Sequence, residues 1–146
     1  MPQTFEDAVG THYIVERWGD FIKSYPWQWF CHLTFDGNPS EAAANAEFKR
    51  WMNRVNRIAF GQRYYRDLSK GCTWIRGTEQ QGRGALHYHA VVGGHVLPPT
   101  LGAQLWHDNA KVVAYDAQRG GAFYIPKNCV AYGMDVSNNL AASRPH

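Results

Sequence analysis

At 146 residues, 45% hydrophobic and 18% charged, the chain suits one domain burying roughly two-thirds of its surface and is too apolar for a disordered one. A formal charge of +3 and a pI near 8.8 permit a polyanionic partner without demanding one. Cys31, Cys72 and Cys129 form no CxxC pair and fit reduced thiols better than a disulfide frame or a zinc ribbon.

No apolar run reaches bilayer length and no signal-peptide pattern opens the sequence, so an intracellular protein without a membrane partner is expected. Taken in order, residues 4–25 read as a helix capped by Thr4, with Ile14, Trp18, Phe21 and Ile22 at helical spacing and Pro26 as its stop. Trp27 to Phe35 is dense in aromatic and strand-favouring residues and runs into an Asp36-Gly37-Asn38-Pro39 turn. Ser40 is a good N-cap for the clearest helix. Its buried stripe is expected at Ala44, Phe48, Trp51, Met52, Val55, Ile58 and Ala59, with Gly61 as its end. Arg50, Arg54 and Arg57 form a separate basic ridge on that helix.

After the polar stretch 62–71, Cys72 to Glu79 and Leu86 to Val92 read as the arms of a hairpin closed by Gly82-Arg83-Gly84. A short helix follows Pro98-Pro99, then a strand over Lys111–Tyr115. Ala117 to Tyr132 reads as partly helical, and a polar tail begins at Gly133. The expected division is an N-terminal helical extension over 1–26, a main domain over 27–132 and a loose tail over 133–146. The order of elements is that of an α+β, ferredoxin-like split βαβ fold, with a central four-stranded antiparallel sheet and flanking helices.

The hairpin carries the most specific chemistry. Alternation places His87 and His89 on one face of a strand. A turn centred on Arg83 sets Glu79 opposite His87, so two imidazoles and a carboxylate converge there. An HxH pair alone is as readily a partly buried or solvent-facing pair; the opposed carboxylate favours a metal site with open positions. Those ligand types suit manganese, magnesium or zinc. Tyr124-Ile-Pro-Lys127 is a second motif. On a helix its phenol and ammonium share a face, although an isolated pair of this spacing is ordinarily an amphipathic helix residue and a solvated charge. For contact with nucleic acid the candidates are Arg50, Arg54 and Arg57 by their ridge and Arg76, Arg83 and Lys111 by proximity. His32 and Thr34 join them from one face of the aromatic strand. Solvation of the helix and satisfaction within the sheet are the competing explanations.

Cys31-His-Leu-Thr-Phe35, His87-Tyr88-His89 and Tyr124-x-x-Lys127 together resemble, in order and spacing, the three motifs of HUH endonucleases. They are similar in particular to the single-tyrosine Rep proteins of rolling-circle replicons. The resemblance covers residues 27–132 and implies a Rep-type α+β domain. It further implies a manganese or magnesium ion on His87, His89 and Glu79, and Tyr124 as the nucleophile that nicks single-stranded DNA and keeps a 5′-phosphotyrosine, with Lys127 assisting. The reverse reaction would join strands. Single-stranded DNA at an origin or stem-loop is the implied partner. With no GxxxxGK[ST] run in the chain, a separate helicase is a further one, in a bacterial cytoplasm or a eukaryotic nucleus. The competing functions are a single-tyrosine HUH transposase, a non-catalytic single-stranded DNA-binding module, and a metal-dependent hydrolase using activated water.

Overall fold

The computed structural model describes residues 5–67, 69–81, 85–107, 109–129 and 133–141. Five strands form one antiparallel sheet in the order β4-β1-β3-β2-β5. They are β1 (Trp27–Leu33), β2 (Thr73–Gln81), β3 (Ala85–Gly93), β4 (Ala110–Ala114) and β5 (Met134–Val136). The helices are α1 (Phe5–Lys23), α2 (Glu41–Phe60), α3 (Pro99–Leu105), α4 (Gly121–Cys129) and α5 (Asn138–Ala141). Short 3₁₀ turns lie at Tyr64–Arg66 and Ala117–Arg119. Among the described residues no helix is long and apolar enough to cross a membrane.

The architecture is the expected α+β one, with one strand more than expected. Met134–Val136 pairs with β2, and Leu140 of α5 is buried. Residues 133–141, expected as loose tail, are thus part of the sheet and its core. A three-residue strand of Met, Asp and Val carries no readable pattern; its existence depends on the free edge of β2.

Each face of the sheet has its own core. On one face α2 packs Phe48, Trp51 and Val55 against Trp29, Cys31 and Leu33 of β1 and Leu86, Tyr88 and Ala90 of β3. The local chemistry of α2 is as the sequence demands. Ser40 Oγ accepts a hydrogen bond from the Ala43 amide at 3.1 Å, a cap worth about 1 kcal/mol. The buried stripe runs from Ala44 to Val55, and Ile58 beyond it is exposed. Gly102 lets α3 close on Trp29, since a Cβ there would meet the indole at 2.8 Å.

On the other face α1 and α4 pack together and bury Phe21, Ile22, Ile125 and Cys129 against Ile75 and Val91. A bulge between Trp27 and Trp29 turns Trp27 toward this second core. There its indole Nε1 donates to the Ile22 carbonyl at 2.6 Å, beside the Tyr25 amide that donates to the same oxygen at 3.2 Å, so the end of α1 is closed by both. The segment expected as a helical extension therefore shares its core with the sheet. The three cysteines are buried and free.

Candidate functional site

β2 and β3 pair with Glu79 opposite His87 and Gln81 opposite Ala85, the register that a turn centred on Arg83 requires. Arg83 itself lies outside the described residues. β1 pairs with β3 so that His32 stands opposite His89. Because side chains alternate along a strand, Glu79, His32, His87 and His89 all rise from the face on which α4 lies. Glu79 Oε2 comes within 2.9 Å of His89 Nε2. His32 Nε2 and His87 Nδ1 are 3.1 Å apart, and the His32 ring stacks on His89 with centroids 4.4 Å apart.

His89 is the most enclosed of the group. Its side chain is buried, and both ring nitrogens lie out of solvent without a hydrogen bond of proper direction. Burial first, and then the charge of His32, pull its pKa down to about 4 against the opposing pull of Glu79. His32 is lowered too, by burial and then by His87. A depressed imidazole is neutral at physiological pH, the form that ligates a metal.

Tyr124 stands over this cluster. Its amide donates to the Gly120 carbonyl at 3.1 Å, so it sits in the first turn of α4, near the helix start. Pro126 falls in the second turn and is buried. It removes one helical hydrogen bond at a cost of about 3 kcal/mol, opposed by the burial of Ile125 and Cys129 on either side of it. The Tyr124 ring meets His89 edge-on at 5.2 Å and Phe30 at 6.2 Å, yet the residue is 43% exposed. Burial and then the Glu79 carboxylate raise its phenol above the ordinary value, so it is protonated at neutral pH. Lys127 is exposed on the same helix.

The donor set fits a divalent cation in kind: three imidazoles, a carboxylate, and a buried ring whose nitrogens are not hydrogen-bonded. Among the described residues, however, no three His, Cys, Asp or Glu side chains stand ready-arranged as a metal centre. The donors approach one another in pairs, Glu79 with His89 and His32 with His87.

The expected nucleic-acid residues divide sharply. Lys111 of β4 lines a cavity of about 330 Å³ that also touches His32, His89 and Tyr124. Arg76 does not belong here. It is three residues from Glu79 and so points to the opposite face, where it is buried against Phe48, Trp74 and Tyr88. Arg50, Arg54 and Arg57 lie on α2, across the sheet from Tyr124. Arg50 pairs with Glu47, and Arg54 Nε donates to the Leu105 carbonyl at 3.2 Å. Thr34 is occupied by Asn109, whose carbonyl accepts from its hydroxyl at 2.8 Å. His32 is the residue whose position changes most, from a presumed DNA contact to a member of the histidine cluster. Arg119, at the cavity wall, had no signal in the sequence because it sits in a single 3₁₀ turn.

Comparison with known proteins adds a family. No curated protein sequence matches the chain. Among solved structures, the crystal structure of the hypothetical protein ORF119 from Sulfolobus islandicus rod-shaped virus 1 is similar at 15% identity. The match covers 78% of this chain and 92% of that one, with a TM-score of 0.47. The family model for replication-associated protein ORF2/G2P matches residues 28–136, the stretch from β1 through β5 that holds every member of the cluster and Tyr124. The chain belongs to the replication-associated protein ORF2/G2P family.

Proposed function

We propose that the protein is an HUH-type endonuclease of the single-tyrosine Rep kind, which nicks single-stranded DNA at a defined site and rejoins it to initiate rolling-circle replication. The observation that carries this reading is the edge-on packing of an exposed tyrosine against a buried histidine. It puts a candidate nucleophile directly over the donor cluster, and membership of a replication-associated family supports it.

Tyr124 Oη attacks the phosphorus of one phosphodiester, and the P–O3′ bond breaks. The phenol gives its proton to water, and the departing oxygen takes one up as a 3′-hydroxyl. The 5′ end stays on the protein as a phosphotyrosine, and attack by another 3′-hydroxyl reverses the step and joins strands. A manganese or magnesium ion held by His87, His89 and Glu79, with His32 beside them, would draw charge from the scissile phosphate. Glu79 also holds His89 in place, and the stacked His32 ring limits how that imidazole can turn. Lys127, on the helix of the nucleophile, balances negative charge near the phosphate.

The test is incubation with a library of single-stranded oligonucleotides and manganese, followed by denaturing electrophoresis. The wild type is expected to carry a DNA adduct, Tyr124→Phe to carry none, and His87→Ala and His89→Ala to lose cleavage. Hydrolysis without an adduct would replace this reading with activated-water chemistry. Binding without any cleavage would leave a single-strand-binding module.

A further inference from the structure

We propose that the cavity beside Tyr124 is a pocket for one nucleobase of the bound strand, so that the protein reads the base next to the phosphodiester it holds. This rests on the reading of the protein as a single-strand nuclease and gives that reading a specificity element. The cavity, about 330 Å³, lies at the low end of the roughly 300–1,000 Å³ usual for small-ligand sites, which suits one nucleotide and not several. Its walls are chemically divided. Phe30, Val113 and Tyr115 supply aromatic and apolar surface, and Tyr124 stands at one side.

Phe30 is held rather than free. Its ring fills the space where a Cβ on Gly121 would fall, with Phe30 Cε2 and Cδ2 at 2.9 and 3.0 Å from that point, and it meets Tyr124 edge-on. A fixed aromatic face is what base stacking uses. Lys111 and Arg119 are the cations of the wall. Arg119 Nε lies 3.6 Å from Asp116 Oδ2 in an exposed pair, which leaves its other guanidinium groups for a phosphate. Lys111 of β4 stands directly opposite His32 of β1, and both line the cavity, so this cation adjoins the histidine cluster. Aromatic walls, two cations and an adjoining tyrosine fit a nucleotide of single-stranded DNA better than an uncharged apolar ligand.

Binding is measured by fluorescence anisotropy with the full-length Tyr124→Phe protein, which keeps the pocket and cannot cleave. The probe is an oligonucleotide selected for binding, with one abasic site moved along it. One position is expected at which the abasic site weakens binding by about tenfold or more. Val113→Trp, which fills the cavity from an edge strand, is expected to lose a similar factor and to become indifferent to the abasic site at that position. Should Val113→Trp fail to fold, as judged by near-ultraviolet circular dichroism, Lys111→Ala and Arg119→Ala carry the test. Each is expected to reduce the slope of log K against log salt by about 0.7. A uniform abasic scan, or a folded Val113→Trp protein that still responds fully to the abasic site, would overturn the pocket; so would unchanged salt slopes in both alanine variants. Because the binding protein lacks the nucleophile, these results are independent of the adduct assay. An absent adduct with position-specific binding removes the nickase and keeps the pocket.

Discussion

A buried guanidinium must find its compensation inside the protein. Arg76 does so against the rings of Tyr88 and Phe48, 4.3 and 4.7 Å from its Cζ, and with Asn45 Oδ1 at 2.9 Å. Its partner Asp135 is more distant, at 3.4 Å, and half exposed, so packing outweighs the ion pair. Arg76→Ala is expected to cost about 2–4 kcal/mol, as for other large buried side chains, and Arg76→Met clearly less. Neither should change the DNA affinity of the folded protein by more than about twofold, given that the residue lies across the sheet. Urea unfolding and anisotropy check both. The face of Arg76 was legible: it differs from Glu79 by an odd number of residues, and parity alone separates them. The role of His32 was not, because it depends on pairing with a strand more than fifty residues away.

His95 sets an acid limit of its own. It is buried against Trp29 at 4.2 Å, its Nδ1 accepts from the Leu97 amide at 3.0 Å, and burial lowers its pKa. The unfolded chain then binds a proton near pH 6.5 that the folded one refuses, so stability is full above that pH and is lost as pH falls toward the folded value. His32 and His89 act with the same sign. In chelator-treated buffer the urea midpoint is expected to fall between pH 7.5 and 5, and to fall less in His95→Asn. A midpoint that rises on acidification would contradict the assignment.

At the scale of elements, α4 is seated by a glycine. A Cβ on Gly77 of β2 would lie 2.5 Å from Cys129 Cβ and 2.8 Å from Ile125 Cγ2, so the helix rests directly on the strand. Gly77→Ala is expected to destabilise by about 1–3 kcal/mol through overpacking and to slow adduct formation by moving Tyr124. Thermal unfolding and the adduct time course measure the two effects, and unchanged values for both would contradict this seating. The helix itself could be read only in part, because Pro126 and the Gly120-Gly121 pair obscure local propensity while burial of Ile125 and Cys129 decides the outcome. α2 was read well, since Ser40 and the stripe from Ala44 to Val55 are local signals. β5 and α5 were missed because they exist through pairing with β2 and through burial of Val136 and Leu140.

The whole molecule divides its work between two faces. The α2 face is packed with tryptophan, phenylalanine and tyrosine around Arg76. The α4 face gathers the histidines, Glu79, Tyr124 and the cavity walled by Lys111 and Arg119. The hairpin register made the Glu79–His87 opposition readable in advance, whereas the cavity required β1, β4 and α4 to be placed together. The proposed nicking and joining activity turns on Tyr124 becoming esterified. The most direct measurement is to trap the DNA adduct with manganese, digest it with nuclease and trypsin, and identify the modified peptide by mass spectrometry. The expected result is a nucleotide on the tryptic peptide Gly120–Lys127, whose only tyrosine is Tyr124. A nucleotide on any other peptide, or an adduct that survives in Tyr124→Phe, would contradict the account.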